Sequence, residues 1–462
     1  MVRERTSPWF LVPDLPDAGA GHEDGTTRNQ ELGDCSSATF LPPPAPPPMS
    51  LPRSLLPLVA LLLPAALAAQ PTPCARPGAV RPGLEVLLAD SVHLVRGKRV
   101  GIVTNHTGLD RCGRRNVDLL VATPGVRVVA LFAPEHGLSG TAAGGAVIRS
   151  GRDSASGVPV HSLYGERLAP TAAMLRDVDV LLYDVQDVGA RAYTFVWTMA
   201  LAMRSAGTAG KPVLVLDRPN PIRADRVEGG LIEPAWRTIT GLHPVPLRYG
   251  LTPGELARWL VGERRVTADV RVVPMSGYRR SMWLDETGVP WVAPSPNIRD
   301  LETALLYPGL VFFEATSASE GRGTTRPLRS VGASWLSDAA DAARELNALA
   351  LPGVRFTAAR RAVRAGQEFG GRTIPMIDVD VTDRDAIEAV AVGAHLLRVV
   401  RRRHPAELRF QARGLEELAG DRRLRAALAA PTDSALRTLL DAWRREAAAW
   451  TEGARRYWLY PE

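Results

Sequence analysis

The chain has 462 residues, is 45% hydrophobic and 23% charged, and carries a formal net charge of +7. That balance excludes a mostly disordered, collagen-like or multi-spanning membrane protein and leaves room for two ordinary domains. Only Lys98 and Lys211 among the 56 basic residues are lysine. The arginines are scattered and no aromatic-interleaved basic patch accompanies them, so no nucleic-acid partner is expected.

Residues 1–48 are polar and end in a proline-rich run. They read as a misassigned or disordered extension. Residues 49–69 follow a different pattern: Arg53, an apolar run over 55–69, and Ala66-Leu67-Ala68 as a small-residue exit. This is the pattern of a secretory signal peptide, which places the expected start at Met49 and predicts an exported protein, periplasmic or secreted. The run is short and interrupted by Pro57 and Pro64, so no stable membrane span is expected after cleavage. Residues 70–82 read as a linker. Of the three cysteines, export leaves Cys74 and Cys112, either as a disulfide or as two thiols. Three thiols are too few for a Cys-rich metal cluster, and no metal is expected.

From residue 83 the pattern becomes regular. Short β-branched or aliphatic runs predict strands at 99–105, 126–132, 178–183, 211–216 and 270–273. Helices are predicted between them at 117–122, 172–176 and 195–206, and another opens at Thr252-Pro-Gly-Glu255, where Thr caps and Pro takes the first helical position. Near-continuous apolar strands alternating with helices imply an α/β doubly wound, mainly parallel sheet. Residues 276–335, rich in Pro, Gly and Trp, read as long loops with short elements between them. Beyond them a smaller α+β domain is predicted: helix 338–350, strands 353–357 and 374–381, helix 386–402 and a helical tail. The domains are thus 83–335 and 336–462.

Ligands of open parallel sheets bind beyond the carboxyl ends of the strands. Those ends read Thr104-Asn105-His106-Thr107-Gly108, Pro134-Glu135-His136-Gly137, Asp184-Val-Gln186-Asp187-Val-Gly189-Ala-Arg191-Ala-Tyr193 and Asp217-Arg218-Pro219-Asn220-Pro221. No Gly-x-Gly-x-x-Gly or P-loop follows a strand, so no cofactor is expected. Carboxylates on one rim without a cofactor suit acid/base chemistry such as glycoside cleavage. Glu135 is the candidate acid, at a strand end where partial burial raises a carboxyl. His136 orients it or binds a hydroxyl. Asp184 and Asp187 face a ligand, or one of them pairs with Arg191. Asp217 is read as facing the ligand, with Arg218 as its ion pair or as an anion clamp. A later loop, Ser319-Glu320-Gly321-Arg322-Gly323-Thr324-Thr325-Arg326-Pro327, offers two guanidiniums, two hydroxyls and glycines that admit a close ligand. Tyr278, Trp283 and Trp291 are candidates either for stacking on sugars or for packing.

In this order, and together with Leu163-Tyr164-Gly165, these clusters resemble the NamZ-type exo-β-N-acetylmuramidases from about Gly83 to Tyr460. The resemblance implies a Rossmann-like N-terminal domain with a smaller C-terminal one, and cofactor-free removal of N-acetylmuramic acid from the non-reducing ends of peptidoglycan fragments or muropeptides. It gives Glu135 the acid/base role. It places His136, Asp187 and the Arg322/Arg326 loop around the sugar, the arginines meeting the lactyl carboxylate. The catalytic candidates are Glu135, His136 and Asp187. The substrate-binding candidates are Asn105, Asp184, Gln186, Arg191, Tyr193, Asp217, Arg218, Asn220, Glu320, Arg322, Thr324, Thr325 and Arg326. A non-catalytic muropeptide or sugar binder is the alternative. The stretch Glu368-Phe-Gly370-Gly371-Arg372 lacks the cysteine that family members often carry there.

Overall fold

A computed structural model describes residues 79–462. The extension 1–48, the signal pattern 49–69, most of the linker and Cys74 lie outside the described residues. Cys112 is disulfide-bonded. It is the only cysteine among residues 79–462, so its partner also lies outside them.

The first layer begins with α1 (Gly83–Asp90), β1 (Arg99–Thr104), α2 (Asn116–Val121) and β2 (Arg127–Ala133). Two short strands follow, β3 (Gly151–Arg152) and β4 (Pro159–Ser162), then α3 (Ala172–Leu175) and β5 (Val180–Asp184). The layer closes with α4 (Phe195–Thr208), β6 (Val213–Leu216), α5 (Pro253–Gly262) and β7 (Val270–Val273). The seven strands run in the order β3-β4-β2-β1-β5-β6-β7. All pairings are parallel except β3 with β4. The chain winds outward from β1 to one side and later returns to β5 on the other. The crevice beyond β1 and β5 is therefore the switch point at which ligands bind.

Alternation along the strands supplies two buried faces. Val100, Ile102, Leu131, Val180, Leu182 and Leu214 pack with Leu84 and Leu120 on one side. Val103, Phe132, Leu181, Tyr183, Val213 and Val215 pack on the other, against α4. That is why these strands read as unbroken apolar runs. β3 and β4 escaped the sequence reading because they are short, and Gly151–Arg152 is exposed and polar.

The remainder comprises α6 (Leu301–Leu310), β8 (Ser330–Gly332), α7 (Ala339–Ala348), β9 (Val354–Ala362), β10 (Thr373–Val381), α8 (Ala389–Arg403), α9 (Gly414–Ala419), α10 (Arg423–Ala429) and α11 (Ser434–Ala454). β8, β10 and β9 form an antiparallel sheet. Helix α6 lies inside the stretch read as loops; Pro308 near its end obscured it. β8 precedes residue 336 yet belongs to the small sheet. The larger core cluster also runs without a break from the parallel sheet into α6, α8 and α11. Where α6 meets α8 the backbones touch: a Cβ on Gly393 would lie 2.2 Å from the Gly309 carbonyl oxygen, and one on Gly309 would lie 1.9 Å from that of Ala389. Among the described residues no helix is long and apolar enough to cross a membrane.

Candidate active site

The turn after β2 presents Glu135. The Gly137 N–H closes on the Pro134 carbonyl at 3.0 Å. His136 and Gly137 both take left-handed backbone, with φ of 68° and 75°. For a histidine this conformation costs on the order of 1 kcal/mol or more, a pattern found where a site fixes its backbone. The Glu135 side chain, 2% exposed, accepts from the Gly145 N–H at 3.0 Å and from the Thr194 hydroxyl at 2.8 Å. Tyr164 also hydrogen-bonds it. Burial pushes the Glu135 carboxyl up to about 7, against the opposing pull of these donors and of Arg322. His136 Nδ1 donates to the Ala142 carbonyl at 2.8 Å. Burial holds its imidazole below the ordinary value.

The loop after β5 brings Asp187 to the same region. Its Oδ2 accepts from the Gly189 N–H at 2.8 Å and from the Tyr249 hydroxyl at 2.5 Å. Burial lifts this carboxyl to about 7 as well. Gln186 and Asn105 are tied together through Thr107: its hydroxyl donates to Asn105 Oδ1 at 2.6 Å and accepts from the Gln186 N–H at 2.9 Å. Asn105 Nδ2, Gln186 Oε1, Asp187 Oδ1 and His106 Nδ1 are buried with no partner among the described residues. Such groups cost about 1–3 kcal/mol each unless a ligand or water completes them. Tyr193 feels the charges of Glu135, Asp187 and Arg322, which locates all three around one tyrosine.

Arg322 reaches this cluster from the other half of the chain. It pairs with Glu314 at 2.6 Å and Glu320 at 3.0 Å. Burial works against its charge, but the two carboxylates more than offset that and raise its pKa. Burial raises Glu314 too, with Arg322 opposing. Beside His136 a cavity of about 650 Å³ opens, lined in part by Asn105, His106, Leu138 and Ile148.

Several predicted ligand-facing residues hold the framework instead. Asp184 is fully buried between Arg218 Nε at 2.5 Å and Asn116 Nδ2 at 2.7 Å; this ion pair pins together the ends of β5 and β6. Asp217 accepts from the Arg218 and Gly254 N–H groups and from the Thr252 and Tyr460 hydroxyls, which leaves it no capacity for a ligand. Asn220 bridges the Leu251 carbonyl and the Ile222 N–H. Arg191 has no carboxylate in hydrogen-bond contact. It donates to the carbonyls of Gly230, Val245 and Leu418, and burial lowers it to about 9.

The Thr324 hydroxyl closes its own loop on the Gly321 carbonyl. Thr325 is exposed and takes a bond from Arg361. Arg326 pairs with Asp380 at 2.6 Å. Gly321 serves the loop and not a ligand, since a Cβ there would lie 2.5 Å from the Arg326 carbonyl oxygen. The aromatics pack: Trp283 donates to Asp385, Trp291 to the Arg299 carbonyl, and Tyr278 stacks edge-on with Tyr460.

Thr194, Tyr249 and Glu314 were missed. Glu314 left one trace, a lone acid in the apolar run Val311–Ala315. Tyr249 left none, because its role exists only through contact with a distant loop. Among the described residues no group of His, Cys, Asp and Glu could hold a metal ion.

Comparison with known proteins gives a consistent result. The family model described as exo-beta-N-acetylmuramidase NamZ, N-terminal, matches residues 100–302, and its C-terminal counterpart matches 305–460. The chain is 37% identical over 382 residues to the peptidoglycan beta-N-acetylmuramidase NamZ of Bacillus subtilis (strain 168), covering 82% of this chain and 91% of that protein. Two crystal structures of DUF1343 family proteins from Bacteroides fragilis NCTC 9343 are similar. One has TM-score 0.76 and 31% identity, the other 0.65 and 26%; each likeness covers 83% of this chain and 99% of the other.

Proposed function

The chain belongs to the NamZ family of exo-beta-N-acetylmuramidases, a glycoside hydrolase acting on peptidoglycan fragments, and on that premise we propose that Glu135 is the proton donor to the glycosidic oxygen. The observation that carries this reading is a buried carboxyl raised to about 7 and held by Gly145 and Thr194. It holds a proton near neutral pH and can release it to a leaving sugar, as general acids in glycosidases do. Asp187 is the second catalytic group. Its Oδ2 is fixed by Tyr249 and Gly189, and its unpartnered Oδ1 is free to take a proton or an N–H from the substrate.

His136, neutral, lines the sugar's entry. Asn105, Gln186 and Tyr193 supply the polar wall, and Arg322, held by Glu314 and Glu320, sets the field at Glu135. The substrate is a peptidoglycan fragment with N-acetylmuramic acid at its non-reducing end. Release of the chromophore from a β-N-acetylmuraminide by the wild-type protein, and its loss in Glu135→Gln, is the expected result. An unchanged rate in that variant would move the acid elsewhere. Export to the periplasm or medium is the matching location, supported by the signal pattern over 49–69 and by the disulfide at Cys112, which suits an oxidising compartment.

A further inference from the structure

The two arginines expected to meet the substrate's carboxylate are already engaged. Arg326 is paired with Asp380, and Arg322 lies between Glu314 and Glu320. Their positive charge is answered within the protein.

The cavity beside His136 differs. Its lining carries three arginines, Arg115, Arg149 and Arg152, against the single carboxylate of Asp153. Arg115 takes that carboxylate at 2.8 Å. Arg152 spends one N–H on the Gly157 carbonyl and has no acidic partner among the described residues. Arg149 makes neither a hydrogen bond nor an ion pair among them. Two solvent-exposed guanidiniums, Arg149 and Arg152, therefore line a space whose one carboxylate, Asp153, is paired with Arg115. Leu138, Val147, Ile148 and Val160 add an apolar wall. The cavity shares Asn105 and His136 with the candidate active site, and His136 is the chain neighbour of Glu135. At about 650 Å³ it is of the size that holds a small ligand.

We propose that this cavity receives the substrate's carboxylate, with Arg149 and Arg152 as the specificity-determining residues. The proposal rests on the muramidase reading. N-acetylmuramic acid differs from N-acetylglucosamine by a lactyl ether, which ends in a carboxylate or, in a muropeptide, continues into a stem peptide with carboxylates of its own. A guanidinium fork matches that group in shape and charge, and the apolar wall suits the lactyl methyl.

The test compares the full-length wild type with Arg149→Ala, Arg152→Ala and the double variant. Three chromogenic β-muraminides are used: the free lactyl acid, its neutral amide, and a form extended by L-Ala-D-Glu. Binding of free N-acetylmuramic acid and N-acetylglucosamine is measured by calorimetry alongside. In the double variant KM for the acid should rise about tenfold or more with kcat within about threefold, and the preference over the amide should vanish. A loss confined to the peptide-bearing substrate also supports the proposal and places the carboxylate on the peptide. Equal affinity and equal KM in wild type and double variant overturn it. A wild type that binds muramic acid through these arginines yet cleaves nothing supports the receptor while removing the muramidase reading.

Discussion

The Thr194 hydroxyl stands at the N-terminus of α4 but does not cap the helix; it donates to Glu135 Oε2 at 2.8 Å. A donor of this kind favours the ionised carboxylate, and burial outweighs it. Thr194→Val removes the donor and keeps the volume. The alkaline limb of the kcat/KM profile should move upward by several tenths of a pH unit, with activity down about tenfold or less. A profile identical to wild type would show that the contact has no bearing on the acid.

Glu135→Gln separates chemistry from stability. Turnover should fall by about 10²–10⁴, the usual contribution of a general acid. The folded value of about 7 lies above the ordinary 4.5, so the native state retains a proton that the unfolded chain releases. Stability is then full below about pH 4.5 and declines as pH rises toward 7. Glutamine cannot ionise and escapes that decline. At pH 8 the variant should be more stable by on the order of 1–3 kcal/mol, read from urea denaturation, with the difference closing at pH 4.

Asp187 is raised to about 7 too, and under the proposed mechanism it acts in the opposite sense, as the group that must be ionised. The activity profile should therefore be a narrow bell centred near pH 7, whose limbs belong to the coupled pair. Asp187→Asn should lower kcat by about 10²-fold or more and abolish the acidic limb. Tyr249→Phe takes away the donor on Oδ2 and should move that limb upward while the fold is retained. An acidic limb unmoved in both variants would exclude Asp187 from the chemistry.

The Asp184–Arg218 pair is a separate matter of framework. Both side chains are 2% exposed or less. Removing one partner strands a buried charge, at a cost of about 3–5 kcal/mol. Arg218→Ala should therefore lower the denaturation midpoint sharply, whereas exposed Arg344→Ala should leave it unchanged within error.

The parallel sheet was legible because each of its central strands is buried on both faces and is therefore apolar throughout. Glu135, Asn105 and Asp187 could be nominated because a strand end is where such sheets expose polar chemistry, and each does follow a parallel strand, β2, β1 and β5. What failed was the assignment of roles within a cluster. Asp184 and Asp187 lie three residues apart, and only contacts from Arg218 and Tyr249, far along the chain, decide that Asp184 is a strut while Asp187 keeps its Oδ1 without a partner among the described residues. Arg191 misled for the same reason: its acceptors are backbone carbonyls of Gly230, Val245 and Leu418, which leave no mark in side-chain identity. Helix α6 was hidden by Pro308 and by an apolar surface without a polar stripe.

The bare contact of Gly309 with Gly393 sets how closely α6 and α8 can sit. Helices that meet backbone to backbone have no room for a side chain between them, so α6 and α8 keep this spacing only while both positions are glycine. A bulky residue at Gly393 would drive α8 off α6 and loosen the shared core from a position outside the set of predicted site residues.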